Sequence, residues 1–176
     1  PVPAPISESF TSEAPGQLGS PTGTVLGNCW TMFGSGSSSF GYNWQTEDAN
    51  GQNENSLNTG PHYDATTFGS SGGMYLYLET SSGTTGDTAF FLSPSIDIST
   101  LSSAELKFAY HMYGATMGDL AVQVNDGSGW VNVWSVSGQQ QTAGNDPWLN
   151  AAVSLSGFAS PITVRFAGVK GSSFTS

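Results

Sequence analysis

The chain has 176 residues and a net charge of −10, from 13 Asp/Glu against 3 Lys/Arg, and only 9% of its residues are charged. The three cations are Lys107, Arg165 and Lys170, so residues 1–106 hold no basic side chain. With no basic face to neutralise phosphates, a nucleic-acid binder is excluded and docking on anionic lipid is disfavoured. Aromatics make up 12% of the residues, too many for a disordered chain. With 23 Gly and 44 Ser or Thr, the solvated surface is built from hydroxyls, amides and glycine. The length suits one domain with one large core.

A single cysteine, Cys29, excludes an internal disulfide, and no Cys/His cluster has zinc spacing. A free thiol leans towards a cytosolic chain, but the acidic, Lys-poor, Ser/Thr-rich composition points to secretion by a bacterium, with the lone thiol expected to be buried. The absence of an Asn-x-Ser/Thr sequon agrees with that source. The opening Pro1-Val2-Pro3-Ala4-Pro5 reads as an extended linker over residues 1–7, ahead of one domain over 8–176. The domain therefore reads as a module of a longer protein.

In chain order, residues 31–72 lack periodicity and read as long polar loops framing a short aromatic strand, Phe40, Tyr42 and Trp44. Met74 to Glu79 alternates, with Met74, Leu76 and Leu78 on one face and Tyr75, Tyr77 and Glu79 on the other. A strand is expected at 88–92. Leu106, Phe108, Tyr110 and Met112 share a face, as do Leu120, Val122 and Val124. Asn125-Asp126-Gly127-Ser128-Gly129 signals a hairpin whose return strand is Trp130 to Val136. Further strands are expected at 149–155 and 162–167. No segment has helical spacing, so short strands between frequent turns predict an all-β antiparallel sandwich.

The blocks Thr59-Gly60-Pro61-His62-Tyr63-Asp64-Ala65-Thr66 and Gly73-Met74-Tyr75-Leu76-Tyr77-Leu78-Glu79-Thr80-Ser81 resemble the MAM domain, named after meprins, the A5 antigen (neuropilin) and receptor tyrosine phosphatase mu. The likeness continues through Leu92-Ser93-Pro94, Leu106 to Gly114, Met117 to Val122, Trp134, Trp148 and Val164-Arg165-Phe166-Ala167-Gly168. It implies a jelly-roll-like β-sandwich and a non-catalytic role in adhesion or recognition. Vertebrate members carry several disulfides, so the chain resembles a bacterial version. Thr11 follows Phe10 where the family usually has an acidic residue, with Glu8 and Glu13 nearby. The family also closes with a strand approximating D-x-A-I-D-D-I, which residues 169–176 do not supply. Residues not included here, a shortened chain, or strand donation by another chain or subunit are the three open sources.

No nucleophile–base pair stands out. Gly34-Ser35-Gly36 lacks an elbow context, and Glu47-Asp48 reads as a solvated turn rather than a glycosidase pair. His111 reads as a histidine hydrogen-bonded beneath a loop, with a ligand role as the alternative. Asp64, with Glu13 as a weaker partner, is the expected ligand set for one structural Ca²⁺ or other hard cation, against a turn-capping alternative. Tyr75, Tyr77 and Tyr113, with Asn50, Gln52 and Asn53 near, could stack and hydrogen-bond sugar rings. The alternative is a second layer of core. The five tryptophans are expected mostly inside. The reading is an extracellular or cell-surface adhesion module of a larger secreted bacterial protein, with an extracellular protein or glycan as partner. Its alternatives are a carbohydrate-binding module of a polysaccharide-degrading enzyme and an accessory domain of a secreted protease.

Overall fold

The computed structural model describes residues 1–35, 41–48, 59–67 and 73–174, and thirteen strands are assigned among them. They are β1 (Val2–Pro3), β2 (Thr24–Val25), β3 (Thr31–Met32), β4 (Gly34–Ser35), β5 (Tyr42–Asp48), β6 (Met74–Glu79) and β7 (Thr88–Leu92). The rest are β8 (Ile96–Asp97), β9 (Glu105–Tyr110), β10 (Asp119–Asn125), β11 (Trp130–Ser137), β12 (Leu149–Ser154) and β13 (Thr163–Val169). No helix occurs among the described residues.

One layer is a six-stranded antiparallel sheet in the order β11-β10-β13-β7-β3-β2. The facing layer consists of β4-β5-β6 and the pair β12-β9. Alternation decides the inward faces. Val122 and Val124 on β10, Val164 and Phe166 on β13, and Phe91 on β7 point into the sandwich. From the other layer come Trp44 on β5, Leu76 and Leu78 on β6, and Leu106 and Phe108 on β9. Phe166 and Trp134 pack against both core clusters and join them into one interior. Gly168 lets the layers approach: a Cβ there would stand 2.0 Å from Leu78 Cδ1. This is the all-β antiparallel sandwich expected from the alternation.

Three expectations change. Residues 1–7 are extended but lie on the sandwich: Val2–Pro3 pairs in parallel with Ile96–Asp97, and Ile6 packs against both core clusters. Cys29 is exposed, because residues 27–29 turn between β2 and β3 and Cys29 itself takes a φ of 62°. Trp130 is 37% exposed, because it lies on the outward face of the edge strand β11. Trp30 and Trp44 are buried as expected. Phe40, Asn50, Gln52 and Asn53 lie outside the described residues.

Met32 has no exposure at all and sits in the core cluster around Phe91. Met32→Ala should therefore lower unfolding stability by about 2–5 kcal/mol, read from the denaturation midpoint at unchanged slope.

Candidate functional site

The segment 59–67 crosses the outer side of the β6/β9 layer. Thr59 bridges to Gly114, the Gly60 N–H donates to the Tyr113 carbonyl (2.9 Å), and the His62 N–H donates to the Gly144 carbonyl (2.8 Å). Trp148 fixes its centre by donating Nε1–H to the Tyr63 carbonyl at 2.8 Å.

Asp64 closes the segment. Its carboxylate accepts from the Thr66 and Thr67 N–H groups and from both threonine hydroxyls. It lies against Gly73, where a Cβ would stand 2.0 Å from Oδ2 and where φ is +86°. Burial pushes the carboxyl pKa up, but the Thr67 and Thr66 hydrogen bonds outweigh this and hold it below the ordinary value. The donors crowd Oδ1, while among the described residues Oδ2 accepts from the Thr66 hydroxyl alone. Glu13 is engaged elsewhere, by the Gln17 amide and the Gly27 N–H. The described residues hold no group of three or more His, Cys, Asp or Glu that could hold a metal. Asp64 thus caps its own turn, and Glu13 does not join it.

The three tyrosines do not form an exposed platform. Tyr75 is 6% exposed and meets Trp148 edge-on at 5.8 Å and Tyr77 at 6.5 Å. Tyr77 is half-buried and donates its hydroxyl to Gln45 Oε1 at 2.9 Å. Burial, then the charges of Glu79 and Glu47, push its phenol pKa up. Tyr113 stands apart, in the turn between β9 and β10. Tyr75 is thus part of a second apolar layer with Trp148, and Tyr77 lies beside it, tied to its own sheet through Gln45.

His111 faces the same side and packs against Trp148 at 5.7 Å. Among the described residues neither ring nitrogen completes the hydrogen bond expected from the sequence, although the Asp146 and Ala143 backbone groups lie close enough to pull its pKa up. Burial lowers its pKa to about 4, against the opposing pull of Asp146. Glu47 and Asp48 are consecutive on β5, so they point to opposite faces and cannot flank one bond.

The most distinctive feature lies between the two halves of this layer. A cavity of about 1000 Å³ is lined by every residue from Met74 to Thr80 and every residue from Glu105 to Met112. A space on one face of a sheet is lined by alternate residues, so lining by consecutive ones marks open strand edges. β6 and β9 are each terminal in their sheets, and no pairing joins them among the described residues. Both run the same way: β6 leads to Thr88 and β9 to Asp119, and these two residues flank Val169 in register. The chain reaches the mouth of this gap at Phe174, whose carbonyl accepts from Thr80 Oγ1 at 2.7 Å. Nearby, Lys170 Nζ donates to the Thr80 and Ser173 carbonyls. The hydrophobic periodicity found both strands, but the resemblance alone hinted at the gap.

The model of the MAM domain, meprin/A5/mu, matches residues 29–176. The chain belongs to the MAM family. It is 35% identical over 138 residues to the MAM domain-containing glycosylphosphatidylinositol anchor protein 1 of Gallus gallus, covering 76% of this chain and 14% of that protein. Against the Homo sapiens protein of the same name it is 35% identical over 135 residues, 74% of this chain and 13% of the other. Neuropilin-1a of Danio rerio is 36% identical over 104 residues, 57% of this chain and 10% of that protein. The chain thus spans about a seventh or less of these relatives. Among solved structures, the cleaved adhesin domain K1 of Lys-gingipain from Porphyromonas gingivalis superposes with a TM-score of 0.57 at 15% identity, over 94% of this chain and 88% of that one. That likeness concerns the fold alone.

Two measurements check the side-chain assignments. Because the His111 pKa in the fold lies below that of a free histidine, about 6.5, its contribution is fully present above that pH. It is lost as pH falls towards about 4, and the expected loss is about 1–2 kcal/mol after solvent screening. His111→Phe should flatten that part of the stability profile. Asp64→Asn should cost about 1–3 kcal/mol at neutral pH through its lost charge-assisted hydrogen bonds. Because the folded carboxyl titrates below its free value, the difference should fade in acid. A chelator should leave the melting temperature unchanged in both proteins.

Proposed function

We propose that this MAM domain is a non-catalytic recognition module, displayed extracellularly or on a cell surface as part of a larger protein, and that it binds a protein or glycan partner. Family membership over residues 29–176 carries this reading. Relatives whose names include a glycosylphosphatidylinositol anchor protein support the surface location. The single cysteine, where vertebrate members carry several disulfides, supports a bacterial origin, and the acidic, Lys-poor composition supports secretion. A carbohydrate-binding role beside a polysaccharide-degrading enzyme is the second reading, and an accessory role in a secreted protease the third. Fold alone does not separate them.

The gap between β6 and β9 favours strand addition as one mode of recognition. With three strands on one side and two on the other, one added strand would give this layer the six of its neighbour. A segment entering beside Phe174 and running back would be antiparallel to both flanks. Its backbone would satisfy the open N–H and C=O groups, and its alternate side chains would enter the core. Strand donation by another chain or subunit is the form this takes in an assembly.

The test displays the domain on beads and measures saturable attachment to cells or matrix in competition with free domain. A panel of polysaccharides and peptides is assayed for hydrolysis in parallel. The expected result is competed attachment without turnover. Hydrolysis abolished by a single acidic substitution would overturn the non-catalytic reading. In hydrogen exchange, the amides of β6 and β9 that face the gap should exchange faster than those of β10 and β13 and become protected when a strand binds. Slow exchange without a partner would contradict the open edges.

A further inference from the structure

The outward face of the six-stranded sheet carries a second constellation, independent of the gap. Register places Gln123, Arg165 and Leu92 side by side across β10, β13 and β7. Arg165 is held by two rings: its Cζ lies 4.3 Å from the Phe90 centroid and 4.0 Å from that of Trp130. Its Nε–H donates to Gln123 Oε1 at 2.6 Å.

The three cations of the chain differ in their partners. Lys107 pairs with Glu105 at 3.0 Å. Lys170 is buried and donates to two backbone carbonyls. Arg165 has no carboxylate within ion-pair distance among the described residues, in a protein with 13 acidic side chains. The Phe90 and Trp130 rings flank its guanidinium and Gln123 takes the inner donor. What remains is the in-plane fork of terminal N–H groups, the shape that accepts a carboxylate through two parallel hydrogen bonds.

We propose that Arg165 forms a carboxylate-binding site for a uronic acid residue of an otherwise neutral glycan. The neighbourhood favours a sugar. Trp130 is 37% exposed, leaving indole surface for a pyranose ring, and Asn125 and Thr163 are paired in register two residues along the same face. Asn125 Oδ1 accepts from the Gly127 and Gly129 N–H groups, so it offers its amide N–H donors, and Thr163 offers a hydroxyl. The net charge of −10 repels a polyanion, so the ligand carries a single acid group among neutral sugars. Pre-alignment of the guanidinium reduces the ordering that binding requires. The site does not depend on the gap or on adhesion, and its failure would leave the family-based recognition reading intact.

The test titrates the whole chain with glucuronosyl-xylotriose and with xylotriose, by calorimetry and by the NMR signal of the Trp130 indole. The acidic sugar should bind at least tenfold more tightly than xylotriose and shift that signal. Arg165→Gln should reduce its affinity to that of the neutral sugar, and Arg165→Lys, which keeps the charge without the fork, should recover little. Equal affinity for the two sugars, an unmoved indole signal, or unchanged binding by Arg165→Gln would overturn the proposal. Pentaglutamate binding as tightly as the acidic sugar would overturn the assignment to a glycan. If Arg165→Gln fails to fold, the acidic-against-neutral comparison on the unmodified chain, together with Trp130→Ala, still decides.

Discussion

Four rings converge on Phe91. Trp30 stacks on it at 4.6 Å, Phe10 meets it edge-on at 5.7 Å, and Trp44 and Phe166 each lie 6.2 Å away. These contacts come from the N-terminal segment, the residue just before β3, the opposite layer through β5, and the adjacent strand β13. In a chain with few charges, such burial must supply most of the cohesion, and each aromatic pair adds about 0.5–1.5 kcal/mol beyond its area. Phe91 therefore fixes where the two layers meet. Gly168 and Ala89 nearby give that contact its depth by taking up little space.

Around this centre the layers have different completeness. The six-stranded sheet is continuous, with Val122, Val124 and Val164 nearly or wholly inaccessible. The facing layer is divided, and segment 59–67 spans the division from outside. Asp64 and Trp148 hold that segment in place through backbone donors and acceptors, which suits a region with almost no ion pairs.

Period-two alternation revealed the long strands because each has one face towards the core: Met74 to Glu79, Leu120 to Val124 and the return strand from Trp130 all lie where it placed them. The two-residue strands were not legible, since one alternation carries no period. The fate of Tyr75 was not legible either. Its face is outward by strand geometry, and Trp148, far away in sequence, packs against it. Trp130 failed in the opposite sense: a large aromatic is usually buried, but its place on an edge strand leaves it partly in water. For Asp64, the sequence offered a cation ligand with a turn cap as the alternative. The two adjacent threonines, Thr66 and Thr67, were the available signal for the cap.

The divided layer also governs what the domain can exclude. Exposed strand edges ordinarily invite uncontrolled stacking of sheets, and natural proteins blunt them with charge or proline. Here the two open edges face one another beneath the 59–67 segment, so bulk does the work of charge. A sheet edge that arrives with a neighbouring strand attached needs more room than a solitary extended chain, so an edge enclosed in this way is a poorer template for stacking than one on an open rim.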